Sequence, residues 1–373
     1  MKFLSAACIC LLLAPALAAD QKAEPRFERG HPLAIDAAYQ NYGGTVWWQS
    51  LPIKDVTAKF IRLKFSRLAN PLHEPATLVI RDHDGNQLQR LPLEQLDPVQ
   101  PLVTMRFPVQ EVTATVEAPA KPVKLRLRLS EYFTDSGANP KPLSTQLDQH
   151  PWFGLDEIGA APALRERARG VANLLFTSDM ASCSGFLVAR DRIMTNTHCI
   201  ASSSAFRLDG KTCSDVLIQF DYLSDKAPPV SLHCRDAKSY PALDIAVLRL
   251  AAQDVPKLAG RPVARFADGN APLPSNAELI HHPAGLPMKL SRDCAIVDRD
   301  TPVKNLRHSC NTGGGSSGSP LFNANGRVVG VQQEGFPDIS LREFNDRSNK
   351  GEKFYNIAVD VKRLEPVLKE LDK

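Results

Sequence analysis

The chain has 373 residues, 43% of them hydrophobic, and a formal net charge of only +4 from 45 basic and 41 acidic side chains. That length accommodates two domains of ordinary size. The small charge, with no basic stripe, gives no support to a nucleic-acid binder. No apolar run after the N-terminus reaches the roughly 18 residues that a membrane helix requires.

Lys2, the apolar stretch Phe3 to Leu13 and the small residues Ala16-Leu17-Ala18 have the layout of an export leader over residues 1–19. The mature chain is therefore expected to be soluble and either secreted or periplasmic. Cys8 precedes most of the apolar core, which argues against a lipid on that thiol.

Residues 20–44 are polar and read as irregular, and Gly43-Gly44-Thr45-Val46-Trp47-Trp48 opens an extended segment. From there to about residue 133 the pattern is antiparallel β. Ile61, Leu63 and Phe65 alternate with Arg62, Lys64 and Ser66. Val103, Met105, Phe107 and Val109 alternate likewise, as do Val123, Leu125, Leu127 and Leu129 against Lys124, Arg126 and Arg128. One buried face per strand implies a small β-sandwich, expected over residues 20–150. Leu78-Val79-Ile80 and the strand after Asp84-Gly85 suggest a hairpin. Asp82-His83-Asp84-Gly85-Asn86 has the composition of a calcium loop, but Asp-Gly is also an ordinary hairpin turn, and no metal is expected there.

Residues 134–151 are rich in Thr, Ser, Asn, Pro and Gln and read as a linker or surface loop. Arg165-Glu166-Arg167-Ala168-Arg169-Gly170 is either a processing site or a charged helical turn. Processing would make the β module a propeptide; otherwise it is an accessory domain. After residue 170, about a dozen short β segments with turn signals follow, and Val361, Leu364, Val367, Leu368 and Leu371 have helical spacing.

Three segments of this second half, expected to span residues 151–373, carry chemistry. Gly313-Gly314-Gly315-Ser316-Ser317-Gly318-Ser319-Pro320 combines a hydroxyl with glycines that bring backbone N–H groups close to a ligand carbonyl. A weak hydroxyl nucleophile needs such donors and a base. His198 follows a predicted strand within Thr195-Asn196-Thr197-His198-Cys199, and Asp244 heads the apolar run Ile245-Ala246-Val247-Leu248. A carboxylate there needs a partner. Gly314-Gly315-Ser316-Ser317-Gly318 also fits the nucleophile elbow of α/β-hydrolases, but that fold places its histidine after the serine, and none follows His308. A subtilisin order would need an Asp motif before His198, and none stands out.

The order His198, Asp244, Ser317, with Cys183-x-Gly185 upstream, resembles the trypsin/chymotrypsin-like serine peptidases, over roughly residues 160–373. Within them the chain is most similar to the secreted bacterial branch of glutamyl and lysyl endopeptidases. The resemblance implies an all-β fold, with two six-stranded barrels and a C-terminal helix behind the N-terminal sandwich. It assigns His198 as general base, Asp244 as its orienter, Ser317 as nucleophile, and the Gly315 and Ser317 N–H groups as oxyanion donors. Substrates would be proteins or peptides, the enzyme a monomer, and no cofactor is implied. A non-catalytic binder on the same fold and a latent precursor are the alternatives.

The resemblance also places the primary specificity pocket at Asn311, Thr312 and the strand carrying Gln332, Gln333 and Glu334. Glutamyl endopeptidases have a histidine where this chain has Gln332, so acidic preference is not expected. Glu334, Asp338 and Asp346 would instead suit Lys or Arg side chains. Ser316 replaces the aspartate that pairs with a new N-terminus in vertebrate digestive relatives, so the loop must be held by other hydrogen bonds.

Cys8 and Cys10 lie in the leader, leaving Cys183, Cys199, Cys213, Cys234, Cys294 and Cys310 of the 8 cysteines. In an exported chain they read as disulfides, with the pairing open on sequence alone. The family bridge corresponds to Cys183–Cys199; Cys213–Cys234 and Cys294–Cys310 are plausible local clasps. No Cys-x-x-Cys pair supports zinc.

Overall fold

The structure, a computed structural model, describes residues 28–37, 45–70, 74–95, 101–119, 125–135, 152–155, 161–178, 180–201, 213, 215–269, 272–299, 305–335 and 355–371. The leader, residues 136–151 of the expected linker, Asp338 and Asp346 lie outside the described residues.

The N-terminal module contains β1 (Glu28–Asp36), β2 (Val46–Gln49), β3 (Ile53–Lys54), β4 (Arg62–Ala69) and β5 (Thr77–Arg81). It continues with β6 (Gln87–Pro92), β7 (Leu102–Val103), β8 (Glu111–Glu117) and β9 (Arg126–Asp135). One sheet runs β1-β9-β4-β7; the other runs β2-β8-β5-β6, with β3 also paired to β8. Leu63, Phe65, Leu78, Ile80, Phe107, Val112 and Leu129 fill the space between them. The expected hairpin is β5–β6. In its turn, Asp82 accepts hydrogen bonds from the N–H groups of Asp84 and Asn86 and from the Asn86 side chain.

Two expectations need correction. Residues 28–36, read as irregular, form β1 along β9; Pro32 is tolerated because β1 is an edge strand, with a register shift after Pro32. Arg62, on the polar face of its alternation, is only 2% exposed. Its face of the sandwich is covered by the second half of the chain rather than by water.

That half begins with β10 (Phe153–Gly154) and α1 (Pro162–Ala168). β11 (Val171–Phe176), β12 (Ser182–Ala189), β13 (Arg192–Thr195), β14 (Val216–Phe220), β15 (Val230–Tyr240) and β16 (Ile245–Leu250) follow, with α2 (Thr197–Ala201) after β13. These six strands close a barrel in the order β11-β12-β13-β16-β15-β14. β17 (Ser275–His281), β18 (Lys289–Arg299), β19 (Leu306–His308), β20 (Pro320–Asn323), β21 (Val328–Glu334) and β22 (Asn356–Asp360) run β18-β17-β20-β21-β22-β19, closed by β18–β19. The C-terminal α3 (Glu365–Leu371) buries Val367 with Leu164 of α1 and residues of both barrels.

The basic run at 165–170 is largely the second half of α1. Leu164 and Ala168 are buried, and Arg167 meets Glu278 at 2.6 Å while lying over the Phe322 ring. Arg165 and Glu166 on the outer face of this helix, and Arg169 just past its end, are exposed. The disulfides are Cys183–Cys199, Cys213–Cys234 and Cys294–Cys310.

Candidate active site

The end of the first barrel presents His198. β13 stops at Thr195, and α2 carries the imidazole one residue into its only turns. Asp244 sits opposite, in a left-handed conformation (φ 53°) that ends the turn Pro241–Leu243 just before β16. Its backbone carbonyl accepts from Asn196 Nδ2 at 2.8 Å and the Thr197 N–H at 3.2 Å. Its carboxylate grips His198 twice: Oδ1 accepts the backbone N–H at 2.9 Å, and Oδ2 lies 2.7 Å from Nδ1. A carboxylate on Nδ1 keeps that nitrogen protonated and leaves Nε2 as the basic lone pair.

The Ser317 loop is pressed against the same barrel end. The Ser317 carbonyl accepts from the Ser184 N–H of β12 at 2.8 Å, and the Gly318 N–H donates to the Gln332 carbonyl at 2.8 Å. Gly318 has φ 83°, and a Cβ there would fall 2.2 Å from Thr195 Oγ1 and 2.3 Å from the Ser184 carbonyl oxygen. Only glycine lets the loop come so near the residues that precede His198. Ser317 is 8% exposed, and its Oγ donates to the Gln333 carbonyl at 3.4 Å.

Gly315 also has a positive φ, 88°, and a Cβ there would meet the His282 carbonyl oxygen at 2.8 Å. Its own carbonyl accepts from Ser184 Oγ at 2.9 Å, while the preceding Gly314 carbonyl accepts from the Ala284 N–H at 2.5 Å. A trans peptide points its N–H opposite its C=O. The Ala284 contact therefore fixes which way the Gly315 N–H faces.

Ser316 is held by a buried relay that the sequence reading did not identify. Its Oγ accepts the Gly313 N–H at 3.0 Å and lies 2.7 Å from His281 Nδ1. His281 Nε2 lies 3.2 Å from Ser291 Oγ, whose single proton goes to the Asn311 carbonyl at 2.6 Å. Ser291 must then accept from Nε2–H, so His281 Nδ1 accepts from the Ser316 hydroxyl. Burial pushes the His281 pKa down to about 3, aided by the nearby His282, His308 and Lys289, so the imidazole stays neutral. Trp152 donates to the same Asn311 carbonyl at 3.3 Å and meets His281 edge-on. The consecutive histidines before Pro283, at the end of an apolar strand, were the available sequence clue.

Asn311, Thr312 and Gln332 are all buried. Gln332 Oε1 accepts from His308 Nε2 at 2.6 Å, which leaves the buried His308 Nδ1 as an acceptor with no partner among the described residues. Thr312 Oγ1 is likewise without one. Gln333 accepts from Asn305 Nδ2 at 2.8 Å, and Glu334 is exposed at the end of β21. Among these described residues the buried side chains are uncharged, and Glu334 does not join them.

A second His–Asp pair shows that this contact alone does not make a site. Asp254 accepts the His233 backbone N–H at 2.8 Å and lies 2.9 Å from its Nδ1. Lys257 caps the same carboxylate at 2.6 Å, and the pair sits beside Cys234 in β15, away from the glycine loop.

A family comparison agrees with this fold. Residues 183–331 match the family model of the trypsin-like peptidase domain, from the cysteine before His198 to the strand after Ser317. No curated protein matches the chain in sequence. Among solved structures, it is similar to the active form of the Rv3671c protease from M. tuberculosis, at 18% identity and a TM-score of 0.40, over 55% of this chain and 82% of that one. It is also similar to the serine endoprotease from Yersinia pestis, at 18% identity and a TM-score of 0.41, over 56% of this chain and 65% of that one. The two closed barrels of the second half thus have the trypsin-like fold, and residues 183–331 are similar to a trypsin-like peptidase domain.

Proposed function

We propose that the chain is an exported serine endopeptidase that uses His198, Asp244 and Ser317, of the bacterial type that includes the glutamyl and lysyl endopeptidases. The observation that carries this reading is the double grip of the Asp244 carboxylate on His198, opposite a glycine loop that presents a nearly buried serine. Ser317 Oγ attacks the scissile carbonyl carbon as His198 Nε2 takes the hydroxyl proton. The N–H groups of Gly315 and Ser317 receive the developing oxyanion. The imidazolium then protonates the departing amine, and the acyl group stays on Ser317 until water, deprotonated by His198, releases it.

The disulfides are compatible with export, and no helix among the described residues is long and apolar enough to cross a membrane. A preference for Lys or Arg has Glu334 as its one described support, and that residue is exposed. The neutral, buried Thr312, Gln332 and His308 favour a primary pocket selective for an uncharged polar side chain.

The test is treatment of the secreted protein with a fluorophosphonate probe, followed by peptide and intact mass spectrometry. An adduct on Ser317, lost in Ser317→Ala together with turnover, is the expected result. A folded wild-type protein that takes up no probe would make the chain a binding protein or a latent precursor.

A further inference from the structure

The covered face of the N-terminal module holds a cluster of buried charges. Glu28 Oε1 receives Arg62 Nη1 at 3.0 Å, Arg106 Nε at 2.8 Å and Arg106 Nη2 at 2.7 Å. None of these three side chains is more than 6% exposed. Two cations and one carboxylate leave an excess positive charge, which is costly to bury unless further partners answer it. Those partners come from the other half of the chain. Burial opposes the Arg106 charge, but the Glu28 carboxylate beside it and the Asp225 carboxylate of the first barrel hold its pKa above the ordinary value. Arg106 Nη2 also donates to the Ala284 carbonyl at 3.4 Å, a long but charge-assisted bond. Beside this cluster, Val103 and Phe133 of the module pack with Leu175, Met180 and Leu217 of the first barrel.

Ala284 is a place where a distant contact can matter. It has φ 55°, and the following Gly285 has φ 62°, so two successive residues are in the left-handed region. For alanine that conformation is held only when its surroundings dictate it. Its N–H fixes the Gly314 carbonyl at 2.5 Å, and hence the facing of the Gly315 N–H. The His282 ring of the same loop stacks on Tyr222, whose hydroxyl donates to Asp225 at 2.5 Å.

We infer that Arg106 is a positioning residue: anchored by Glu28, it holds the Ala284 turn so that the Gly315 N–H faces the oxyanion, which makes the N-terminal module a permanent part of the working enzyme. This rests on the peptidase reading above. Removal of the module would strip the Ala284 carbonyl of its donor and expose an apolar face on the first barrel.

The test compares the full-length protein with Arg106→Lys and Arg106→Met, each normalised to folded protein by circular dichroism. Labelling of Ser317 by a fluorophosphonate, and kcat and KM on a peptide substrate, are measured for all three. A lysine ammonium can keep the ion pair with Glu28 but has no planar fork to reach the Ala284 carbonyl as well. Arg106→Lys is thus expected to fold and keep its KM, while labelling and kcat fall by at least about tenfold, short of the roughly 10²–10³-fold that complete removal of an oxyanion donor costs. A role in docking alone would lower the melting temperature and leave kcat per folded molecule intact, which would overturn the inference. Should Arg106→Met fail to fold, Arg106→Lys decides by itself. Wild-type protein that takes up no probe would sink the peptidase reading and this inference together, whereas equal labelling of wild type and Arg106→Lys would sink the inference alone.

Discussion

Ser316 donates its hydroxyl proton to Nδ1 of the fully buried His281, across 2.7 Å, directly beside the nucleophile loop. The bond is neutral on both sides, so the loop is held without a charge and without a new N-terminus. A relay of this kind fails when either end is removed, because the other is left buried and unsatisfied. Ser316→Ala is expected to lower kcat by roughly tenfold or more by loosening the Gly313 turn. Ser316→Asp would bury a carboxylate, and its cost should shrink as acid protonates His281 to form an ion pair. Melting temperatures of Ser316→Asp that rise toward the wild-type value between pH 7 and pH 5 would confirm that His281 is the partner; a constant gap would refute it.

The grip of Asp244 on His198 predicts a different signature. Asp244→Asn keeps the shape but presents an amide that can donate to Nδ1, which favours the tautomer with its proton on Nε2, where a base is needed. Turnover should fall by about 10⁴-fold at neutral pH, with KM little changed. Steady-state kinetics of the variant check this, and a loss below about tenfold would remove Asp244 from the mechanism.

What the sequence made legible, and what it did not, follows from how local each signal is. The residues of the His198–Asp244 contact, and the glycines at 315 and 318 with their positive φ, each stand in a short segment whose types and order are visible in one dimension. The alternation that predicted the β-sandwich was equally local and correct for β4 and β9, but the run Val103–Val109 forms only the short β7 and an isolated bridge at Phe107. Its failure at Arg62 came from a contact between residues far apart in the chain, since period-2 patterning reports which face a residue is on and never what covers that face. The relay through His281, Ser291 and Asn311 was hidden for the same reason: its members lie on β17, β18 and the loop after Cys310, and only the barrel brings them together. β1 was missed because its apolar alternation, Leu33, Ile35 and Ala37, is short and follows a proline in an otherwise polar edge strand.

Three buried histidines set a pH limit on stability. Burial lowers the pKa of His281 to about 3, and those of His282 and His308 to about 4, the last two although their rings donate to the Leu286 carbonyl and to Gln332 Oε1 respectively, which raises them. In the unfolded chain these imidazoles titrate near 6.5. Above that pH both states are neutral and nothing is lost. Below it the unfolded chain binds protons that the folded one refuses, so stability falls as the pH drops from about 6.5 toward 4. Each histidine contributes up to about 1.4 kcal/mol per pH unit in that window. Urea midpoints measured between pH 7 and pH 4.5 should decline steeply, and His308→Gln should reduce the slope by about a third. A flat profile would mean that these histidines are protonated or exposed.

The Cys183–Cys199 bridge predicts a coupling between stability and the base. It ties β12 to α2 across a sequence separation of 16, one residue beyond His198. Replacing both cysteines with alanine should cost about 3 kcal/mol, from loop entropy restored to the unfolded chain, and should free the helical turn that carries the imidazole. Activity at temperatures well below unfolding separates the two effects. If only stability is affected, kcat at 10 °C is unchanged; if the bridge also orients His198, kcat and fluorophosphonate labelling of Ser317 both fall several-fold there. The second result is expected, because the turn it anchors is only five residues long, Thr197–Ala201, and has little helix of its own to hold its direction.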